Sequence, residues 1–399
     1  MSTVPGPLHG LRVLELGSLI AGPFGGQLLG DYGAEVIKVE SPAGDPLRRW
    51  GVLDGGESLW WTSIARNKRS VVIDLRTGAG AALVRRLAVA ADVVVQNFHP
   101  GQLERWGLDY ASLAAENPGL IMVHISGYGR TGPRAGEAGF GSIGEAMGGI
   151  RHTTGPAGGP SCRTGISLGD SLAAMFAVIG ALAALHERAR SGRGQEVDVA
   201  LYEAVAALME SSLADAEVAG VVRGRSGGVL PGVAPSNAYP TADGAEVLIA
   251  ANADGVFARL CAAMDRPELV GDARFATHQA RGEHAGELDA LVGAWTARRP
   301  SADLLATLAD HRVPSGRVYT AADALADEHY ERRAMIVRMP SGTGRLVPMP
   351  GVVPRFSRTP GSVRTPGPRL GADTEAVLGA VAALDVEELE RLRADQVIG

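Results

Sequence analysis

The chain has 399 residues, of which 46% are hydrophobic and 21% charged. This composition is typical of a globular protein with one large or two smaller domains, and it excludes disordered and collagen-like classes. The net charge of −6 argues against a general affinity for nucleic acid or for an anionic membrane surface. Cys162 and Cys261 are too few for a disulfide framework, and the sequence shows no signal peptide, so a reducing, cytoplasmic location is expected.

The N-terminal third alternates the patterns of strands and helices. Apolar runs predict strands at residues 12–16, 34–40, 71–74, 92–96 and 120–126, with helices at 24–32 and 81–90. Such alternation is typical of βαβ units. The sequence therefore predicts an open parallel sheet with helices on its faces.

The middle of the chain changes character twice. Residues 127–169 are rich in glycine and lack periodicity, which predicts a long irregular region of the kind that often carries function. An Ala/Leu-rich helix is expected at 171–190 with Asp170 as its N-cap, and its apolar part is too short to span a bilayer. Residues 240–325 resemble a smaller mixed unit with one strand, at 246–250, and several helices; an extended segment at 340–368 and two helices follow.

Familiar catalytic motifs fit this sequence poorly. The turn after the first strand lacks the G-x-G-x-x-G spacing of a dinucleotide site, and no histidine or cysteine spacing suits a metal ion. Residues 165–169 match G-x-S-x-G, the motif that presents the nucleophile of α/β-hydrolases, with Ser167 at its centre. The residues before that motif do not resemble a strand, yet a Ser167 hydrolase remains an alternative.

Asp170 stands out because it ends the glycine-rich region and begins the predicted helix. An aspartate in this place is ordinarily an N-cap. However, small residues around it would let a bulky ligand approach the backbone. The amides of a helix N-terminus stabilise negative charge, and an aspartate carboxylate is able to act as a covalent nucleophile. Both interpretations stay open on the residues alone.

Several stretches together resemble a known family. They are LRVLELGSLIAGPFGGQLLGDYGAEVIKVE (11–40), RNKRSVVIDLR (66–76), ADVVVQNFHPGQLERWGLD (91–109), GYGRTGP (127–133), TGISLGDSLAAM (164–175), GRGQEVDVALYEA (192–204) and GVVPRFSRTPG (351–361). In these segments, which span nearly the whole chain, it resembles the class III CoA-transferases. That family includes formyl-CoA:oxalate and carnitine CoA-transferases, with α-methylacyl-CoA racemases as close relatives.

The resemblance implies an α/β fold. A Rossmann-like large domain is expected from both chain ends, residues 1–224 and 326–399, with a smaller α+β domain at 225–325. It further implies an interlocked homodimer that takes acyl-CoA and a carboxylic acid as substrates. No permanently bound cofactor, metal, nucleic acid or membrane is expected.

The resemblance also assigns residues. Asp170 is the implied nucleophile, which would carry CoA as a covalent aspartyl thioester between donor and acceptor. The implied CoA contacts are Ile20, Ile73, Arg76, Asn97, Phe98, His99 and Arg105. The implied substrate contacts are Phe140, Gly227 and Gly228, the two glycines lying where relatives carry a mobile loop. Ser41 stands where formyl-CoA transferase has a phosphate-side arginine, which puts that contact in doubt.

The same comparison separates two reactions. Racemases use a histidine where this chain has Phe140, so transfer is expected, with racemisation as the alternative. The stretches 140–155 and 163–171 look most like members that use succinyl-CoA with malate, citramalate or related dicarboxylic acids. Arg151, His152 and Arg163 are candidates for binding a distal carboxylate, although each also suits a solvated loop.

Overall fold

The computed structural model describes residues 5–399. The strands are β1 (Arg12–Glu15), β2 (Glu35–Glu40), β3 (Leu53–Asp54), β4 (Glu57–Ser58), β5 (Lys68–Val72), β6 (Val93–Gln96), β7 (Ile121–Ser126), β8 (Glu196–Ala200), β9 (Ser236–Pro240), β10 (Glu246–Ala250), β11 (Ser315–Arg317), β12 (Ile336–Pro340) and β13 (Leu346–Pro350). The helices are α1 (Ala21–Asp31), α2 (Leu59–Ile64), α3 (Gly78–Val89), α4 (Gln102–Arg105), α5 (Tyr110–Ala114), α6 (Gly141–Met147), α7 (Ile150–Thr153), α8 (Leu168–Ser191), α9 (Leu201–Ala206), α10 (Ser212–Ala219), α11 (Asp254–Ala263), α12 (His278–Glu283), α13 (Ala285–Thr296), α14 (Ser301–Asp310), α15 (Ala321–Ala326), α16 (Glu328–Arg332), α17 (Thr374–Val381) and α18 (Val386–Ala394). Short 3₁₀ turns lie at Pro46–Arg49 and Pro267–Gly271.

Six strands form a fully parallel sheet in the spatial order β5-β2-β1-β6-β7-β8. Counted along the chain, this order is 3-2-1-4-5-6, which is that of the doubly wound nucleotide-binding sheets. In the central register, Leu14 of β1 lies between Ile37 of β2 and Val94 of β6. The predicted parallel α/β sheet is therefore confirmed. Its topological switch point lies between β1 and β6.

Helices cover both faces of this sheet, because successive strand residues point to opposite sides. Leu14, Ile37 and Val94 pack under α3, α17 and α18, so the C-terminal helices complete the core that the N-terminal strands begin. The neighbouring residues Val13 and Val93 pack on the other face, under α1, α8 and α9. The strands consequently carry apolar side chains on both faces, as expected where a parallel sheet is buried on both sides.

The chain divides into two compact units. Among the described residues, the first consists of residues 5–151, 164–221 and 329–399, and the second of residues 152–163 and 222–328. The sequence analysis predicted residues 152–163 in the large domain, whereas this division groups them with the second unit. That segment packs in the second unit, where the Arg225 guanidinium donates to the carbonyl oxygens of Gly159, at 2.7 Å, and His152, at 3.2 Å.

The second unit contains more sheet than expected. Its antiparallel sheet has three strands in the order β11-β10-β9, whereas the sequence analysis predicted only the middle one. The edge strands are short or contain proline, so their apolar pattern is weak. Tyr239 of β9 is nevertheless buried in the core of this unit with Val247 and Ile249 of β10.

The irregular region and the long helix also differ from expectation. Two short helices, α6 and α7, interrupt residues 127–169. Helix α8 begins three residues earlier than predicted, with Ser167 as its N-cap, so Asp170 lies in its first turn. The helix is 24 residues long and apolar enough, by length and composition, to cross a membrane. It packs against α1, α9 and the parallel sheet, as the core helix of a globular domain does.

Candidate active site

A cavity of about 540 Å³ opens at the carboxyl ends of four neighbouring strands. Its lining comes from the segments after β1 (residues 16–18), after β2 (41–46), after β5 (73–76) and after β6 (Phe98), with Gln102 and Trp106 beyond. The strand order places the switch point at this edge, which is where ligands of doubly wound sheets bind. The order of the strands alone therefore places a ligand crevice at this edge of the sheet.

The loop after β1 is held in place from two sides. The Asn97 amide accepts from the Ser18 N–H at 2.8 Å and donates to the Ser18 carbonyl oxygen at 2.9 Å. Leu19 adopts a left-handed conformation, with φ of 65°, and its N–H donates to Asp45 Oδ1 at 3.1 Å. Ile20 follows as the buried N-cap residue of α1. Asn97 and Ile20 thus shape the loop, and neither side chain lines the cavity.

Arginines border the crevice. Arg76 lines it and forms a two-pronged ion pair with Asp74, at 2.9 and 2.7 Å. Arg105 donates to Gln102 and, with Arg76, lines an adjoining cavity of about 430 Å³ at the start of α3. Arg49 also lines the larger cavity, and the sequence analysis did not single it out. Arginine suits phosphate recognition because its donors form a planar fork.

An aromatic pair forms one wall. The rings of Phe98 and Trp106 meet edge to face, with centroids 5.3 Å apart, and both line the cavity. Ile73 contributes there too, although its side chain is fully buried in the core. His99 points elsewhere, since its ring nitrogens face the carbonyl oxygens of Pro100 and Gly136. The cavity therefore brings together Ile73, Arg76 and Phe98 of the predicted CoA contacts.

A buried histidine supports this wall. His124 Nδ1 faces two donors, Gln96 Nε2 at 2.7 Å and Arg130 Nη1 at 2.9 Å. Because Nδ1 must then accept, the proton is on Nε2, which donates to Glu196 Oε1 at 3.0 Å. Gln96 in turn accepts from the Phe98 N–H at 2.7 Å. The neutral imidazole thereby fixes the turn that carries Phe98.

Acid should weaken the fold through this histidine. Burial, together with the Arg130 charge, lowers the pKa of His124 to about 3, against about 6.5 in an unfolded chain. The unfolded state therefore takes up the proton first, and stability falls as the pH drops from about 6.5 towards 3. The loss approaches about 1.4 kcal/mol per pH unit. We expect the free energy of unfolding of His124→Gln, measured by urea titrations at pH 7, 6 and 5, to depend less on pH than that of the wild type. His9→Gln, at an exposed position, should keep the wild-type dependence of unfolding free energy on pH. If His124→Gln also kept it, His124 would not be the source of the acid sensitivity.

Asp170 lies at the same edge of the sheet as the cavity. Helix α8 runs into β8, which is parallel to the other strands, so its N-terminus lies towards their carboxyl ends. Gly127, just after β7, closely approaches Gly139, and this contact places Phe140 and Gly141 beside the start of α8. A β-carbon on Gly141 would lie 2.2 Å from Asp170 Oδ2. Only glycine leaves room for the carboxylate in its present position.

Beneath Asp170 lies a buried carboxylate that the sequence analysis did not single out. Glu145 of α6 is fully buried, and its Oε1 accepts from the Gly169 N–H at 3.3 Å. Arg151 Nε lies 3.5 Å from Glu145 Oε2. Arg151, a candidate for substrate binding, thus forms an ion pair inside the fold. Glu145 thereby links α6 both to the first turn of α8 and to Arg151 in α7.

The remaining candidates are placed as follows. Phe140 is largely exposed as the residue before α6. Gly227 and Gly228 lie in a turn of the second unit, where the Gly227 N–H donates to the Gly155 carbonyl oxygen at 3.0 Å. Arg163 and His152 belong to the same unit. Across residues 5–399, no cluster of three or more histidine, cysteine or acidic side chains is arranged to hold a metal ion.

The hydrolase alternative lacks its structural context. A nucleophile elbow joins a strand to a helix and holds its serine in a strained turn. The residues from 154 to 166 form no strand, and Ser167 has an ordinary negative φ of −81° as the N-cap of α8. Its carbonyl oxygen accepts from Ser171, as in a regular helix start. The motif at 165–169 is therefore a helix N-terminus and not an elbow.

Known proteins resemble this chain over nearly its whole length. The family model of CoA-transferase family III matches residues 8–374. The chain is 53% identical over 396 residues to the succinyl-CoA–D-citramalate CoA-transferase of Chloroflexus aurantiacus, covering 99% of this chain and 98% of that one. It is 36% identical over 387 residues to the succinate–glutarate CoA-transferase of Agrobacterium fabrum, covering 95% and 96%. A crystal structure of a CAIB/BAIF family protein from Brucella suis superposes with a TM-score of 0.83 at 37% identity, covering 94% of this chain and all of that chain. The chain is therefore an enzyme of CoA-transferase family III.

Proposed function

We propose that this enzyme moves CoA from succinyl-CoA to a dicarboxylic acid of the citramalate and malate type. The observation that carries the substrate class is the 53% identity, over nearly the full length of both chains, to a succinyl-CoA–D-citramalate CoA-transferase. Relatives named as succinyl-CoA–L-malate CoA-transferase subunits, at 37% and 38% identity, support the same class.

The proposed nucleophile is Asp170. Its carboxylate oxygen attacks the thioester carbonyl of the donor, the C–S bond breaks, and a mixed anhydride and CoA thiolate result. The thiolate then attacks the aspartyl carbonyl and expels succinate, leaving CoA bound to Asp170 as a thioester. The acceptor carboxylate attacks that thioester and releases the thiolate, which finally takes the acceptor acyl group and frees Asp170. Every step exchanges one acyl bond for another, and no net proton is consumed.

The position of Asp170 suits this chemistry. It lies in the first turn of α8, where the helix dipole stabilises negative charge on a carboxylate. It is half-buried, so it is open to a substrate while water is partly excluded. Gly141 keeps the space beside it free of side-chain atoms.

CoA is proposed to bind in the crevice at the switch point. Its diphosphate and 3′-phosphate would meet Arg76 and Arg105 beside the start of α3, with Arg49 on the opposite lip. Phe98 and Trp106, whose rings meet edge to face, offer an aromatic surface for the adenine ring. Because Ser41 carries no charge, Arg49 supplies the cation on that side of the cavity.

A homodimer is proposed as the working form. Helix α8 exposes Met175 and Ile179, and α10 exposes Leu213 and Val218, the latter two with more than 80% of their surface. Met175 and Ile179 are one helical turn apart and so share a face of α8. Adjacent apolar side chains exposed in this way are typical of a surface that another protein covers. A second copy of this chain is the proposed partner, and sedimentation of the active enzyme tests it.

A substrate panel tests the function. The purified enzyme is incubated with succinyl-CoA and separate carboxylic acids, and the acyl-CoA products are read by mass. Citramalyl-CoA or malyl-CoA formed at the highest kcat/KM is the expected result. Free CoA without acyl transfer would favour hydrolysis. Rapid deuterium uptake by a 2-methylacyl-CoA in D2O would favour the racemase alternative, which Phe140 opposes because it cannot relay a proton.

A further inference from the structure

The basic residues of this chain have a marked bias. Of the 38, only Lys38 and Lys68 are lysine, and the other 36 are arginine. Both lysines are buried, with side chains 1% and 0% exposed. Lysine is almost never fully buried unless it is paired. In this chain, lysine is therefore used only at two interior positions.

The two lysines share one carboxylate. Lys38 Nζ lies 3.0 Å from Glu15 Oε1, and Lys68 Nζ lies 2.7 Å from Glu15 Oε2. Glu15 and Lys38 face each other across β1 and β2. Helix α1 closes the site from above, since a β-carbon on Gly26 would lie 1.9 Å from Glu15 Oε2. The space suits a compact ammonium, whereas a planar guanidinium needs more room.

The partners of the two lysines otherwise differ. Lys38 also contacts Asp45 Oδ2 at 2.8 Å and donates to the Gly17 carbonyl oxygen at 2.8 Å. Lys68 instead donates to the Pro23 carbonyl oxygen in α1, at 2.6 Å. Only Lys38 reaches the loop after β1, and it does so at Gly17 and through Asp45.

Asp45 extends this link to the strained part of the loop. Its Oδ1 accepts from the N–H of Leu19, whose φ is 65°, and from the N–H of Leu47. A left-handed leucine is unfavourable and persists where surrounding contacts hold it. The loop segment 16–18, Lys38 and Asp45 all line the 540 Å³ cavity, and Lys68 does not.

We propose that Lys38 is a positioning residue for CoA: by holding Gly17 and Asp45, it keeps the loop after β1 in the shape that binds the thioester substrate. This inference rests on the proposed CoA crevice. It gives Lys38 the role of supporting the wall of that crevice without contacting the substrate. Lys68 has the same burial and the same carboxylate partner but serves only the packing of α1. It is therefore the matched control.

The test compares Lys38→Met with Lys68→Met in the full-length enzyme. Both should lower the melting temperature, because each leaves Glu15 with one cation. Only Lys38→Met should raise the dissociation constant of CoA, measured by calorimetry, and the KM for succinyl-CoA, each about tenfold. The KM for the acceptor acid should change by less than twofold. Asp45→Asn keeps the acceptor for Leu19 but loses the charge that Lys38 holds. It should also raise the KM for succinyl-CoA, and it replaces Lys38→Met as the test variant if Lys38→Met fails to fold.

The outcomes separate the two proposals. Equal effects of Lys38→Met and Lys68→Met on CoA affinity, or none for Lys38→Met and Asp45→Asn, would overturn the positioning role. If wild-type enzyme binds CoA but transfers none from succinyl-CoA, the proposed donor is wrong, and the calorimetric comparison of the lysine variants still decides the role of Lys38.

Discussion

Asp170→Ala should lose CoA transfer by a factor on the order of 10³ or more, because no other group replaces a covalent nucleophile. The variant should remain folded. Asp170 is not the N-cap of α8 but a first-turn residue, so the substitution removes no N-cap, and the helix-dipole contribution to the free energy of unfolding that it removes is about 0.3–1 kcal/mol. Steady-state transfer from succinyl-CoA and the thermal midpoint measure the two effects. Near-wild-type turnover would remove Asp170 from the mechanism.

Two further measurements make this result specific. Ser167→Ala changes the residue three positions away, at the N-cap of the same helix, and should retain transfer within a few-fold. A serine hydrolase would show the reverse pattern. In wild-type enzyme incubated with succinyl-CoA, mass analysis of proteolytic fragments should find the CoA adduct on the peptide that contains Asp170.

Gly141→Ala should lower kcat by about 10²-fold, since displacing a reacting group by about 1 Å has that effect. The added methyl group would meet Asp170 Oδ2 at 2.2 Å and Cγ at 2.6 Å, so the carboxylate must move. Gly141 is the first residue of α6 and has no left-handed φ, and alanine favours helix over glycine. The thermal midpoint should consequently stay near that of wild type while turnover falls.

Gly136→Ala is the matched control for this effect. Gly136 lies in the same glycine-rich region, and a β-carbon there meets no atom within 4 Å. Its turnover should remain within twofold of wild type. Full activity of Gly141→Ala would mean that the reacting carboxylate does not occupy the position seen here, and an equal loss in both variants would point to a general effect of the loop.

Long apolar runs made much of the fold predictable. Residues 35–40 and 121–126 carry apolar side chains on both faces of the strand, and this pattern predicts a buried parallel strand. Strands β9 and β11 were missed because they are edge strands with polar residues and proline. The start of α8 was misplaced because aspartate is a preferred N-cap, whereas here the backbone continues the helix back to Leu168.

The candidate site was predictable to a similar degree. Asp170 was recognised from a motif in the sequence, and Ile73, Arg76 and Phe98 line one cavity as a group. Asn97 instead holds the loop after β1 in place through two hydrogen bonds between its side-chain amide and the Ser18 backbone. Arg49, Trp106 and Glu145 belong to no motif in the sequence, and Lys38 is distinctive there only as one of two lysines. The contacts that give these residues a role exist only in the folded chain.

The sequence by itself determined the family, the parallel sheet and the residue proposed as nucleophile, because each depends on order and periodicity along the chain. Only the tertiary structure decided what surrounds them. It brought Glu15, Lys38, Asp45 and Lys68 into one buried charge cluster, and it placed Gly141 against Asp170. Except for Lys38 and Asp45, which are close in the chain, these contacts join residues about 20 to 50 positions apart. Strand pairing and helix packing bring such distant residues together.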